Sequence, residues 1–321
     1  MRQKVIVFSQ IASEVLEKLK QNYDVVEIQP QLGDVNEQIK HHVVDADAMI
    51  GAGRRLNENN LLAAKKLKII SSVSVGYDNY DVAYLNQKKI WLAHTPHVLT
   101  ETTADLAFTL LVSAARRVPE LDAWTKAGQW TKTVPSHLFG QDIHGKTLGI
   151  IGLGNIGAAI ARRAKYGFNM KIAYHNRREK PELALPLDAK FLDLETLLQT
   201  SDFLVVAVDL NAQSKALIGA EQLAKMPAHA VLINISRGPV VDEDALIQAL
   251  EQKKIFAAGL DVYQKEPLQQ SPLFALPNVV TLPHVGSATA ETRLRMAELA
   301  YQNLVDALEN RTPRYLVNSK F

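Results

Sequence analysis

The side chains best suited to chemistry in this sequence stand just past short apolar runs. In "NISRGPVVDEDAL" Arg237 follows such a run and Gly238-Pro239 turns the chain. In "GLDVYQKEP" Asp261 closes a run and Glu266 stands in the loop beyond it, and in "VTLPHVGSAT" His284 follows the last run. Arginine, glutamate and histidine at one rim suit a single task. The guanidinium anchors a carboxylate and polarises the carbonyl beside it, while the imidazole protonates that carbonyl's oxygen. The glutamate orients the imidazole and favours its charged form. Taken singly, a loop arginine is a surface charge, a loop glutamate is solvated and a histidine after proline caps a turn; the joint placement carries the reading.

Protonating a carbonyl oxygen reduces nothing unless a hydride reaches the carbon, and a second motif points to its source. Gly152, Gly154 and Gly157 form G-x-G-x-x-G, directly after "TLGII" and directly before an alanine-rich helical segment. The first glycine permits the tight turn, the second lets a pyrophosphate approach the backbone, and the third allows close helix–sheet packing at a helix N-terminus that favours anions. The turn, with Leu153, Asn155 and Ile156 between its glycines, is therefore expected to bind a dinucleotide. Such turns are followed about 20 residues later by an acid that holds the ribose hydroxyls. Here "KIAYHNRREK" offers His175, Asn176, Arg177 and Arg178, with no acid until Glu179. A carboxylate repels a 2′-phosphate, whereas a planar guanidinium clamps it. Asn176, Arg177 and Arg178 therefore read as a phosphate pocket, with Arg177 the first choice, NADPH the preferred cofactor and NADH a possible one. The alternative is a solvated basic loop.

The elements that must position these residues repeat in two series. Strands are expected at "VIVFS", "DVVEI", "AMIGA", "LKIISSVS" and "IWLAHT", then again at "TLGIIGL", "KIAYHN", "FLVVAV", "AVLINIS", "FAAGLDV" and "NVVTLP". Helix-length connectors between strands imply βαβ units, hence an α/β fold of two doubly wound parallel-sheet domains (Rossmann/flavodoxin-like). The long helical segments "TETTADLAFTLLVSAARR" and "SATAETRLRMAELAYQNLVDALEN" mark the crossings between domains, the first opening on a capping box from Thr102 to Asp105. The expected boundaries are residues 1–101 plus 287–321 for a discontinuous substrate domain and 102–286 for the dinucleotide domain. Within the latter, residues 119–146 are expected to be a dimerisation arm, since a connector of that length is functional or an interface.

Composition narrows the class. Of 321 residues, 36 are basic and 34 acidic, a net +2 that leaves no basic footprint for nucleic acid or a membrane surface. No apolar stretch reaches 18 residues and the N-terminal run is too short for a signal segment. Cysteine is absent, which excludes disulfides and thiolate chemistry and accords with a cytoplasmic setting. Adjacent His41 and His42 read as a solvated helix end, and no metal site is expected.

"GLGNIG", "NISRGPVVDEDAL", "GLDVYQKEPL" and "LPHVGSAT" resemble the signature blocks of the D-isomer-specific 2-hydroxyacid dehydrogenase family. "SVGYDNYDV", "HTPHVLTETTADLA" and "GFNMKIAYHNRR" are similar to its bacterial glyoxylate/hydroxypyruvate reductase branch, and the likeness spans nearly the whole chain. The resemblance implies two similar α/β domains with the active site in the cleft between them, a homodimer, and NADPH-dependent reduction of small 2-oxo acids (glyoxylate, hydroxypyruvate, 2-keto-D-gluconate) to D-2-hydroxy acids. It implies Arg237, Glu266 and His284 as the catalytic residues. It implies substrate contacts from Val75, Gly76 and Ser287 beside Arg237, and cofactor contacts from Thr103, Ile235, Asp261 and Gly286 beside the glycine turn. Two departures stand out: Asp209 where relatives carry proline near the pyrophosphate path, and Leu138 where relatives present a tryptophan from the partner subunit. Oxidation of formate or phosphite on the same scaffold is an alternative. The His284–Glu266 pair argues against formate, because its oxidation has no oxygen to protonate. A dinucleotide-sensing corepressor is a further alternative, but those proteins carry an acid at the second strand and long tails.

Overall fold

In the computed structural model, which describes residues 2–318, the chain forms two compact units. One runs up to Leu99 and resumes at Ser287; the other spans Thr100–Gly286. The extreme ends of the expected first domain, residues 1 and 319–321, lie outside the described residues.

The first unit is built on β1 (Lys4–Val7), β2 (Asp24–Glu27), β3 (Ala48–Gly51), β4 (Ile69–Ser72) and β5 (Trp91–Ala93), all parallel, in the order β2-β1-β3-β4-β5. Alternate residues serve opposite faces. Ile6, Met49, Ile70 and Leu92 join a core with Phe8, Ile39 and Leu85. The helix Ala290–Leu308 packs on β3, β4 and β5. There the buried Ser71 hydroxyl donates to the Ala300 carbonyl at 2.7 Å, so the returning C-terminal segment completes this unit's core.

The second unit holds β6 (Thr147–Ile151), β7 (Lys171–His175), β8 (Lys190–Phe191), β9 (Phe203–Val206), β10 (Val231–Asn234), β11 (Ala257–Leu260) and β12 (Val279–Thr281). Its seven-stranded parallel sheet has the order β12-β11-β10-β9-β6-β7-β8. The chain winds outward from β6 through β7 to β8, then returns to β9 on β6's other side. The order therefore reverses beside β6, and ligands of open α/β sheets bind beyond the strand ends at such a reversal. Both faces are covered. Ile150, Tyr174 and Val205 face a core with Ala107, Leu111 and Ile160, while Ile151, Val206 and Leu260 face Leu197, Leu223 and Leu246. Each such aliphatic side chain contributes about 1.5–3 kcal/mol by leaving water, which explains strands that read as unbroken apolar runs.

Three local expectations are corrected. β8 was not anticipated, because its two residues are exposed and form no apolar run. Thr102 is not a cap: the helix runs Thr100–Ala115, and Asp105 instead accepts from Arg163 at 2.6 Å. The 119–146 connector is partly ordered by the helix Val118–Lys126 and a short turn at Ser136–Leu138.

Candidate active site

The glycine turn closes β6, and its three glycines meet three different surroundings. Gly152 has φ +102°, and a Cβ there would come within 2.5 Å of the Ala207 carbonyl oxygen. At Gly157 a Cβ would collide with the Gly152 carbonyl oxygen. At Gly154 it would meet nothing within 4 Å. The turn is therefore tight at its ends and open in the middle, at the start of the Asn155–Phe168 helix. Gly154 caps that helix with no side chain of its own. An open glycine on a positive helix terminus fits a pyrophosphate.

The neighbouring strand is tied to this turn. The Gly152 N–H donates to the His175 carbonyl at 3.0 Å. Asn176 is expected to contact cofactor, and its carboxamide is engaged on the protein side: its oxygen accepts from the Leu153 N–H at 2.7 Å and its nitrogen donates to the Leu153 carbonyl at 3.2 Å. Arg177 and Arg178 lie exposed just beyond and form no hydrogen bond or ion pair with another described residue. Asp209 is exposed, and its carbonyl accepts from the Ser214 hydroxyl at 2.6 Å.

Arg237, Glu266 and His284 leave the same end of β10, β11 and β12. Asn234, 1% exposed, shapes the first of these loops by accepting from the Ser236 N–H and hydroxyl while donating to the Arg237 carbonyl. Gly238 then lies so close to the Tyr263 backbone that a Cβ would collide with it, which draws the arginine loop onto the glutamate loop. His284 Nδ1 meets Glu266 Oε2 at 2.7 Å, and Glu266 Oε1 accepts from the Tyr263 N–H at 3.0 Å. Burial alone would push Glu266 up. The His284 hydrogen bond, the Tyr263 N–H and the positive charges of His284 and Arg237 outweigh burial and hold the carboxyl below its ordinary value. A carboxylate accepts only, so Nδ1 carries a proton and Nε2 is the nitrogen left for exchange. The His284 side chain is 47% exposed, enough for a reactant to reach it.

Asp261 is 2% exposed and receives the Val285 N–H at 2.7 Å and the Gly286 N–H at 2.8 Å. Burial raises its pKa against these two donors. The carboxylate thus grips the chain immediately after His284, whose φ of 53° lies in the left-handed region. Thr103 adjoins Gly286, and Ile235 sits nearly buried at the end of β10. Tyr263, which the sequence motifs do not single out, fastens the rim by donating its hydroxyl to the Leu282 carbonyl at 2.9 Å.

Val75, Gly76 and Ser287 belong to the first unit. Tyr80, Ser72 and Ser74 form a line of hydroxyls that ends on the Gly76 carbonyl at 2.7 Å, and His94 Nδ1 donates to the Val75 carbonyl at 3.0 Å. The loop is thereby held from behind. Leu138 is 8% exposed, buried within its own chain.

A parallel sheet with a dinucleotide turn at its reversal point, and a carboxylate–imidazole pair on the same edge, defines a nicotinamide-dependent oxidoreductase. Residues 108–286 match the model of the D-isomer specific 2-hydroxyacid dehydrogenase NAD-binding domain. The glyoxylate/hydroxypyruvate reductase B of Citrobacter koseri is 46% identical over 99% of this chain and 98% of its own. That of Escherichia coli is 45% identical over 99% and 98%. The crystal structure of an NADPH-dependent glyoxylate/hydroxypyruvate reductase from Sinorhizobium meliloti, in complex with NADP and malonate, superposes with a TM-score of 0.88. It is 33% identical and covers 100% of this chain and 98% of that one. The chain belongs to the D-isomer specific 2-hydroxyacid dehydrogenase family.

Proposed function

We propose that the protein uses NADPH to reduce glyoxylate, hydroxypyruvate and related small 2-oxo acids, 2-keto-D-gluconate among them, to D-2-hydroxy acids. The observation that carries this reading is the His284–Glu266 pair at 2.7 Å beside Arg237. The cofactor, bound along the 152–157 turn with contacts from Thr103, Ile235, Asp261 and Gly286, supplies a hydride. Arg237 holds the substrate carboxylate with the backbone N–H groups of Val75 and Gly76, and with Ser287, and its charge draws electron density toward the carbonyl oxygen. His284 then delivers the proton on Nε2 to that oxygen, while ionised Glu266 keeps Nδ1 protonated and supports the imidazolium. Arg177 and Arg178, charged and without acidic partners, support NADPH over NADH. The names of the relatives support the substrate class, and we further propose a homodimer joined through residues 119–146.

The test is a spectrophotometric panel of glyoxylate, hydroxypyruvate, 2-ketogluconate, pyruvate and phosphite, each with both cofactors. Oxidation of NADPH by glyoxylate and hydroxypyruvate is expected. Turnover of phosphite alone, or of nothing at all with cofactor bound, rejects the proposal.

A further inference from the structure

Building on the proposed NADPH site, we infer that His175 reads the 2′ substituent of the cofactor ribose and makes NADPH binding take up a proton. His175 is the last residue of β7, and its carbonyl accepts the N–H of Gly152, the first glycine of the turn. It thus holds the place where an acid would receive the ribose hydroxyls. Its ring is half-buried, lies parallel to Phe191 with an interplanar angle of 10°, and has Nδ1 at 2.9 Å from the Leu192 carbonyl oxygen.

That contact decides the ring's chemistry. A carbonyl only accepts, so Nδ1 must donate and its proton is fixed. Nε2 has no hydrogen-bond partner among the described residues. In the neutral ring Nε2 is an acceptor, suited to the 2′-hydroxyl of NADH. A 2′-phosphate dianion offers no proton, so meeting it requires a second proton on Nε2. Binding NADPH therefore favours the imidazolium, and binding NADH favours the neutral ring. The charges carried by the surrounding elements are Arg177, Arg178 and Glu179 of its own loop, Lys190 on β8, Asp193 just after β8, and exposed Asp209 beyond β9. Asp193 is occupied as a helix cap by the Thr196 N–H and hydroxyl. With Asp193 spent on that cap, the 2′-phosphate is the anion that the proposal sets opposite Nε2.

The experiment measures NADPH and NADH affinities of the unmodified protein from pH 7 to 8.5, where a phosphate monoester with its second pKa near ~6 is already dianionic. It is paired with calorimetry in two buffers of different ionisation enthalpy. The NADPH-to-NADH affinity ratio is expected to fall with rising pH, by up to about tenfold per unit, with net proton uptake for NADPH and none for NADH. His175→Gln, or His175→Asn as a second variant, should flatten the ratio and abolish the difference in uptake. A pH-independent ratio in the native protein, or an unchanged uptake in the variants, overturns the role of His175 while leaving the NADPH site standing. Failure of the native protein to bind NADPH at all overturns the underlying cofactor reading as well.

Discussion

In the proposed reduction Glu266 is the residue on which the chemistry turns, because its carboxylate accepts the Nδ1 proton of His284. Its folded-state pKa lies below the ordinary carboxylate value. The stability it contributes is therefore present at neutral pH and lost as pH falls through the folded value. Glu266→Gln removes the negative partner of the imidazolium. Expected are a fall in kcat of about 10²–10⁴-fold and a displacement of the alkaline limb of the kcat/KM profile toward lower pH, read from pH–rate curves at saturating cofactor. An unmoved alkaline limb would show that Glu266 does not support the charged imidazole. Asn176 acts differently, since both ends of its carboxamide are spent on Leu153. Asn176→Ala should raise KM for NADPH and NADH alike, because the pyrophosphate turn serves both. Replacing Arg177 and Arg178 together should raise KM for NADPH only. Steady-state kinetics with each cofactor separates the two effects.

At the level of elements, the strand–turn–helix from β6 into the Asn155–Phe168 helix separates a folding role from a binding role within one motif. Gly154 has open space above it and Gly157 has none. Gly154→Ala should leave the melting temperature nearly unchanged while raising cofactor KM, because the added methyl occupies only the space a pyrophosphate would need. Gly157→Ala should lower the melting temperature, because helix and turn must part to admit the methyl. Thermal denaturation of the cofactor-free protein beside cofactor titration checks both; equal destabilisation by the two variants would contradict the division. The rim loops show the same economy, with Gly238 against the Tyr263 backbone and Asp261 holding Val285 and Gly286. Those contacts join residues more than twenty positions apart, and no local pattern announces them.

For the whole molecule, the 119–146 segment presents Trp130 at 64% and Phe139 at 61% exposure. Exposed aromatics on one segment suit the anchors of an interface between copies. Trp130→Lys combined with Phe139→Lys should shift sedimentation velocity from a two-chain to a one-chain species. A native protein that sediments as a single chain would remove the proposed dimer. No helix among the described residues is long and apolar enough to cross a membrane.

Much of this protein was legible from residue order alone. The parallel α/β class followed from apolar runs spaced by helix lengths, and the dinucleotide turn followed from three glycines in their strand–helix setting. Arg237, Glu266 and His284 stood out because each follows a short apolar run that forms a strand. These signals are local, and short-range periodicity and backbone geometry carry them without knowledge of neighbours. Tertiary structure decided which partner each polar group takes. It turned Asn176 toward Leu153 and set Asp261 to grip the chain after His284. It buried Leu138 in its own chain, and it added β8, whose two exposed residues become a strand only by pairing with β7. Hydrogen-bond donors and acceptors are interchangeable in a sequence; only the folded chain, by bringing distant backbone groups within 3 Å, selects among them.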